Sequence, residues 1–259
     1  DISSLSLTCM INFSASDENV LKILACNSDV VQKLVSHLTT RVKNVTKSKE
    51  LASMLLSNLS ILDDCCTILS GEADCKVEEI PQRFKKLFVL SFAVVELDHV
   101  CAVLQNCARH ASVGEFLVLG DTPKLNKVLS SLGVGSVLRR RALSHLVRNV
   151  CLKEELHATL LSGTDTLNAV QQRLFGSASN NIESESTVVV ETDLETQRAL
   201  LDVLLSLTHT DLGRQRLFDA KIVQQLQQRY ENNTEIDQPI ADTCNLIIDE
   251  MEKPRFKTI

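Results

Sequence analysis

The chain has 259 residues, a net charge of −6 at pH 7 and 44% apolar residues, with no Trp, one Tyr, eight Gly and four Pro. Nucleic-acid-binding proteins normally carry a strongly basic face and aromatic side chains on which bases stack, so this composition argues against nucleic-acid partners. Large β-sandwiches and barrels need many turn residues. Few Gly and Pro together with abundant Leu favour long helices instead.

Two further features of the sequence limit which classes of protein it can belong to. No apolar run reaches the roughly 18–20 residues of a membrane span, and no secretory signal is visible. The nine cysteines are odd in number and form no CxxC pair or Cys/His cluster with zinc-like spacing. We expect free thiols, a reducing compartment such as the cytoplasm, and no cofactor. The cysteines that lie among Leu and Val, and are expected in the core, are Cys9, Cys26, Cys101, Cys107, Cys151 and Cys244.

Along the chain, one sequence motif recurs. It consists of an apolar helix that carries an Asn, then a polar stretch, then an apolar pair. Its anchor positions are Asn12, Asn58, Asn106, Asn149, Leu207 and Asn245. Successive anchors are 46, 48, 43, 58 and 38 residues apart, close to the roughly 40–47 residues of armadillo and HEAT units. A polar insertion at 176–191 lengthens the fourth interval, and a loop at 71–82 lengthens the second unit.

A second amphipathic helix follows each apolar pair, as at 30–35, 125–129 and 222–226. Helix-start residues precede several of these helices, among them Ser28-Asp29 and Asp165-Thr166. We therefore predict an all-α, armadillo/HEAT-like helical repeat solenoid of five to six units, forming a single domain over residues 1–259. Such a stack is stabilised by nearest-neighbour packing and offers a concave binding surface.

The recurrent Asn needs a reason, because Asn is a poor choice inside a helix. In one interpretation the amides form a ladder along the groove that hydrogen-bonds the backbone of an extended partner. In the other, each amide bonds the backbone of a neighbouring helix within the stack, and both interpretations stay open. The candidate groove residues are Asn58, Asn106, His145, Arg148 and Asn149. Armadillo nuclear-import receptors place Trp one turn before such anchors, so the lack of Trp argues against that role.

Basic side chains gather in the third and fourth units. The candidate basic patch consists of Lys124, Lys127, Arg139, Arg140, Arg141 and Lys153, with Arg148 beside the groove. This cluster is either a patch for an acidic segment of a partner or an ordinary hydrated helix surface. Adjacent helical residues point about 100° apart, so the three arginines need not share a face. Catalysis finds little support, because no phosphate-binding glycine loop or GxSxG motif occurs.

Three stretches carry a family resemblance: 51–69 (LASMLLSNLSILDDCCTIL), 139–163 (RRRALSHLVRNVCLKEELHATLLSG) and 195–226. The second has arginines followed by a helix that ends in R-N-x-C. The third, from Gln197-Arg198 through Thr208 to Gly213-Arg214, is similar to a family segment that ends in T-x-x-G-R. The chain resembles the Hgh-type armadillo family of eukaryotes in these stretches, over nearly its whole length. The family usually carries a longer acidic insertion where this chain has 176–191.

The resemblance implies a non-catalytic chaperone adaptor. Members of that family bind nascent translation elongation factor two and link it to the cytosolic chaperonin TRiC and to a co-chaperone of the Hsp90 system. Two alternatives remain. One is a general armadillo scaffold in trafficking or signalling, which would follow from the fold alone. The other is a nucleotide-exchange factor for Hsp70, since some armadillo proteins bind the ATPase lobe of Hsp70.

Overall fold

The computed structural model describes residues 4–40, 46–72, 75–120, 123–176, 190–231 and 237–253. These ranges are helical and contain no strand, which confirms the predicted all-helical repeat fold for the described chain. The chain divides into two compact units, one formed by residues 1–116 with 135–142 and the other by 117–134 with 143–259. That the whole chain forms a single domain stays a prediction.

In the first unit, helices that begin successive repeats pack on one another. Its helices are α1 (Ser4–Ser16), α2 (Glu18–Ala25), α3 (Ser28–Thr39), α4 (Lys47–Leu59), α5 (Asp63–Ser70), α6 (Gln82–Ala93) and α7 (Asp98–Cys107). Helix α1 packs on α4, α4 packs on α7, and α3 packs on α6. Two further helices, α8 (Ala111–Val118) and α10 (Val137–Cys151), have residues in both units.

The second unit repeats this arrangement. Its helices are α9 (Leu125–Leu129), α11 (His157–Gly163), α12 (Thr166–Phe175), α13 (Leu194–Leu207), α14 (Asp211–Asp219), α15 (Ile222–Leu226) and α16 (Gln238–Glu252). Helix α13 packs on α16, α11 on α14, and α12 on α13. A 3₁₀ turn at Glu154–Leu156 leads into α11, and a π turn at Gln227–Glu231 extends α15.

Every predicted anchor lies in the first helix of its repeat. Asn12 is in α1, Asn58 in α4, Asn106 in α7, Asn149 in α10, Leu207 in α13 and Asn245 in α16. The helices expected at 30–35, 125–129 and 222–226 lie within α3, α9 and α15. Apolar residues about one turn apart form the buried stripe of α4, as with Leu51, Leu55 and Leu59.

Local sequence sets where the helices begin. Helix α3 begins at Ser28 as expected, but the capping side chain is that of Asn27, one residue earlier. The Asn27 side-chain oxygen accepts the backbone N–H groups of Asp29 and Val30, each at 3.1 Å. These N–H groups lie in the first turn and have no intrahelical acceptor, so the cap stabilises the start of the helix.

Helix α14 approaches the end of α13 so closely that only glycine fits at its third residue. A Cβ atom on Gly213 would lie 1.9 Å from the Leu207 carbonyl oxygen. The hydroxyl of Thr210 caps α14 by accepting the N–H of Gly213 at 3.2 Å. The Gly213-Arg214 pair noted in the sequence therefore has a steric role in packing these two helices.

The two predicted insertions have different outcomes. The first loop runs from Gly71 and contains a 3₁₀ turn at Val77–Glu79, but its last residue, Gln82, already belongs to α6. Most of the second insertion, 177–189, lies outside the described residues. Its final residue, Glu191, is buried rather than loop-like: it is 1% exposed and pairs with Arg173 at 2.6 Å.

All nine cysteines are free thiols. Of the six expected in the core, Cys101, Cys107, Cys151 and Cys244 are buried. Cys9 and Cys26 are exposed, so the expectation was wrong for these two. Cys9 lies in α1, and Cys26 directly follows the last residue of α2.

No single described helix is both long and apolar enough to cross a membrane. Helices α4 and α5 meet the length and composition test only together, as a pair bent by 116°.

Candidate protein-binding faces

Two of the predicted groove amides have partners inside the protein. Asn106 Nδ2 donates to Ser60 Oγ at 2.9 Å, and Asn58 Nδ2 donates to Ser14 Oγ at 3.3 Å. In both cases the acceptor lies two residues beyond the anchor of the preceding repeat. The acceptor is a serine hydroxyl, whereas the packing interpretation had expected backbone. Asn58 and Asn106, both half-buried, thus link successive first helices in the first unit.

In the second unit, charged side chains from neighbouring helices pair across one face. His145 Nε2 lies 3.1 Å from Glu195 Oε1, and Arg148 Nε donates to Asp202 Oδ2 at 2.6 Å. Glu195 and Asp202 are seven residues apart on α13, and His145 and Arg148 are three apart on α10, so each pair of residues shares a helix face. We call His145, Arg148, Glu195, Arg198, Asp202 and Asp237 the paired-charge face.

The paired-charge face continues toward α16 through Arg198. Arg198 Nη2 donates to Asp237 Oδ1 at 2.6 Å, and its Nη1 lies 3.6 Å from Glu195 Oε2. The hydrogen bond to Asp237 and the nearby Glu195 raise the pKa of Arg198. Glu195 therefore joins His145 to Arg198 and Asp237 in one network, whereas Arg148 and Asp202 form a separate pair on the same face.

Arg148 is the member of this face best suited to contact another molecule. Its side chain is 35% exposed, and that of Asp202 is 32% exposed. The Asp202 carboxylate receives only the Nε–H, so both terminal nitrogens of Arg148 lack a hydrogen bond within the described chain. A guanidinium fixed at Nε keeps a planar pair of donors that matches a carboxylate. Asn149, the next residue, is half-buried and has contacts of its own.

Arg139 does not belong to a surface patch, and this part of the sequence interpretation was wrong. Its side chain is 2% exposed. Its Nη2 donates to the Ser91 carbonyl at 2.6 Å and its Nη1 to Cys101 Sγ at 3.2 Å, while the guanidinium lies 5.7 Å from the Phe92 ring centroid. Ser91 is in the last turn of α6, where carbonyls lack an intrahelical donor. Arg139 therefore caps the C-terminus of α6 with a positive charge, which the helix dipole favours.

Lys153 has a similar position at the end of α10. Its Nζ donates to the Asn149 carbonyl at 3.0 Å. Burial lowers the pKa of Lys153 to about 8. Lys49 provides a third example, because its buried Nζ donates to the carbonyls of Leu38 and Thr40 at the end of α3. Capping helix ends is thus a recurrent use of basic side chains in this fold.

The remaining patch residues are divided between the two units. Arg140 and Arg141 belong to the first unit, whereas Lys124, Lys127 and Lys153 belong to the second. Arg141 and Lys127 are exposed, and Arg140 and Lys124 are half-exposed. All four have intramolecular contacts. The structure therefore describes no single basic patch within either unit.

Sequence reasoning missed the acidic half of the paired-charge face. The signal was present in the periodicity of α13: Glu195, Arg198 and Asp202 alternate with the apolar positions that are buried, such as Leu200 and Leu204. Arg139 could also have been recognised, because it lies four residues before Leu143 in the phase of the buried stripe. Among the described residues, no group of three His, Cys, Asp or Glu side chains could hold a metal ion.

Comparison with known proteins gives a family and a fold. The family described as "Domain of unknown function (DUF383)" matches residues 40–200. No curated protein matches the sequence. Among solved structures, the crystal structure of an engineered protein from the Northeast Structural Genomics Consortium superposes with a TM-score of 0.62. The match covers 95% of this chain and 96% of that chain at 13% identity, so the likeness concerns the fold alone.

Proposed function

The chain belongs to the DUF383 family, and on that premise we propose that it is a non-catalytic, protein-binding repeat protein of the cytoplasm. More specifically, it acts as a chaperone adaptor. Its client is translation elongation factor two, and it presents that client to the cytosolic chaperonin TRiC together with a co-chaperone of the Hsp90 system. The client and its chaperones follow from the resemblance of 51–69, 139–163 and 195–226 to the Hgh-type family.

The observation that carries the proposal is the state of Arg148. One nitrogen is held by Asp202 at 2.6 Å, and the two terminal nitrogens lack a hydrogen bond within the described chain. A cation oriented in this way loses little side-chain entropy when it binds, because its conformation is already restricted. The proposed contact is a bidentate hydrogen bond from Arg148 to a client carboxylate or backbone carbonyl, with Asn149 beside it.

The sharpest test compares the two partners of one ion pair. Arg148→Ala removes the proposed contact, whereas Asp202→Ala removes the internal partner and leaves the guanidinium. Both substitutions break the same half-exposed pair, so we expect similar small losses of stability. Affinity for purified elongation factor two, captured during dilution from denaturant, should fall by about 1.5–3 kcal/mol for Arg148→Ala, the range for hydrogen bonds to charged groups. It should fall by clearly less for Asp202→Ala, which only leaves the guanidinium less restricted before binding.

Arg141→Ala is the matched control, because it removes an exposed arginine from the same helix, α10. Its affinity should equal that of the unmodified protein. Equal losses of affinity in Arg148→Ala and Asp202→Ala would mean that the pair only supports the fold. Unchanged affinity in both would contradict a client contact on the paired-charge face.

The same preparations distinguish the alternatives. Capture of elongation factor two and TRiC from a cell extract supports the adaptor. Acceleration of nucleotide release from purified Hsp70 would identify an exchange factor instead. Stable binding to trafficking or signalling proteins, with neither of those effects, would identify a general scaffold.

A further inference from the structure

A groove along α6 in the first unit has a composition unlike the paired-charge face. It has a volume of about 600 Å³ and is lined by Lys85, Lys86, Val89, Leu90 and Ala93 of α6, with Thr39 at the end of α3. No carboxylate is among the lining side chains. We call this the α6 groove.

The two lysines at one end of the groove make no ion pair or hydrogen bond within the described chain. Other exposed lysines of the same unit do pair, as Lys22 does with Glu18 at 2.7 Å and Lys47 with Glu50 at 3.3 Å. Lys85 and Lys86 place two positive charges side by side on a chain whose net charge is −6. They create a local positive potential that attracts carboxylates.

The other end of the groove is apolar and open. Val89 is 63% exposed, Ala93 is exposed and Leu90 is half-exposed. These residues lie one to two turns beyond the lysines on the same face of α6, at offsets of three, four, seven and eight from Lys85 and Lys86. From Lys85 to Ala93 the groove runs along α6 for about 12 Å, the rise of eight helical residues.

We propose that the α6 groove binds a short amphipathic segment of a partner protein, with acidic residues at one end and large apolar residues one to two turns away. The carboxylates pair with Lys85 and Lys86, and the apolar side chains cover Val89, Leu90 and Ala93. Charge complementarity determines the orientation of the segment, and apolar burial supplies most of its affinity. This site is separate from the paired-charge face and does not depend on the identity of the client.

The test uses synthetic peptides and the full chain. A panel of fluorescent twelve-residue peptides places two glutamates at either end and leucines three, four, seven and eight positions away. At least one member should bind saturably, and its affinity should fall as salt concentration rises. The double substitution Lys85→Glu with Lys86→Glu should weaken that peptide by about tenfold or more, because attraction becomes repulsion. A peptide with lysines in place of glutamates should then bind the double variant better than the unmodified protein.

Two matched controls isolate the groove. Lys33→Glu with Lys76→Glu changes the net charge equally at exposed lysines outside the groove. Val89→Asp tests the apolar end, and Val134→Asp, at a valine that is 51% exposed, is its counterpart. Only the groove variants should lose the peptide, and circular dichroism should show that each variant retains its helices.

Three outcomes would overturn the proposal. The first is that no peptide of the panel binds saturably, or that the control variants lose binding as strongly as the groove variants. The second is that sedimentation shows the protein to be a dimer and that Val89→Asp dissociates this dimer. The occupant of the α6 groove would then be a second copy of the chain. The third is binding to phosphatidylserine vesicles, but not to peptides, that the double lysine variant abolishes.

Discussion

Three consecutive arginines in α10 occupy three different environments. Arg139 is buried, Arg140 is half-exposed and Arg141 is exposed. Arg139 donates to the last turn of α6, and Gly135 nearby leaves the space that it needs, since a Cβ on Gly135 would lie 2.6 Å from Arg139 Cδ. Gly135 also has φ of +88°, a conformation that favours glycine. The identity of the residue alone thus says little about its role here.

We expect Arg139→Met to lower the free energy of unfolding by roughly 2–4 kcal/mol. Methionine fills much of the space but leaves the Ser91 carbonyl without a donor and removes favourable charge from a helix end. Arg141→Met, its exposed counterpart, should change stability by no more than about 0.5 kcal/mol. Urea unfolding of both variants measures the difference. Equal effects would contradict the capping role assigned to Arg139.

At the scale of single residues, only part of the candidate protein-binding faces could be predicted from the sequence. The recurrence of Asn at 58 and 106 was visible, but its partners, Ser14 and Ser60, are 44 and 46 residues away. Such long-range partners depend on which helices become neighbours, and no local pattern specifies that. Asp202 could not be assigned to Arg148 for the same reason.

At the scale of elements, the first helices of successive repeats are joined by polar bonds as well as by apolar packing. The bond from Asn106 to Ser60 connects α7 to the residue that follows α4, and the bond from Asn58 to Ser14 connects α4 to α1. A directional bond at the same place in two repeats fixes the register between neighbouring helices more narrowly than apolar contacts do.

A double-mutant cycle on Asn106→Ala and Ser60→Ala should give a coupling energy of about 0.5–1.5 kcal/mol, the usual net value of a neutral hydrogen bond. Each single substitution should cost at least as much, because it leaves a partner group unsatisfied in a partly buried place. Chemical denaturation of the four proteins gives the coupling. A value near zero would mean that the amide is available for other contacts, as the binding-ladder interpretation requires.

The positions of the helices along the chain were the most predictable feature of the elements. The spacing of four between Leu51, Leu55 and Leu59 both predicts α4 and identifies its buried face. The short helices α9 and α15 were also located, since each has two polar residues between an apolar pair and a single leucine. The capping of helix C-termini by basic side chains of other helices was not predictable. These donors lie far from the capped helix end in the sequence.

At the scale of the whole molecule, buried thiols link stability to pH. Burial raises the pKa of Cys101 from 9.0 to about 11 and that of Cys151 to about 12. In the unfolded chain these thiols lose their protons near pH 9, while the folded protein keeps them protonated. The unfolded state then binds fewer protons, so the free energy of unfolding falls as pH rises above about 9. Tyr230, raised to about 12, acts in the same direction above pH 10.

Lys153 acts in the opposite direction. Burial lowers its pKa from 10.5 to about 8, so between these values the unfolded state binds more protons and stability rises with pH. We expect the unmodified protein to lose stability above about pH 9, and Lys153→Met to lose it more steeply because the opposing contribution is gone. Cys101→Ala should lose it less steeply. Urea midpoints at several pH values from 8 to 11 measure these slopes. Identical slopes in all three proteins would refute this account.

The anchoring of Glu191 has a consequence for protein engineering and for the history of the chain. Its N–H donates to the Arg173 carbonyl at 2.9 Å, its carboxylate pairs with the Arg173 side chain, and its carbonyl accepts from Gln197. The chain is therefore fastened on both sides of 177–189. Closing a loop of twice the length costs only about 0.6 kcal/mol more. We therefore expect a fluorescent protein, an affinity tag or a newly evolved module inserted between 177 and 189 to leave the packing of α12 and α13 unchanged.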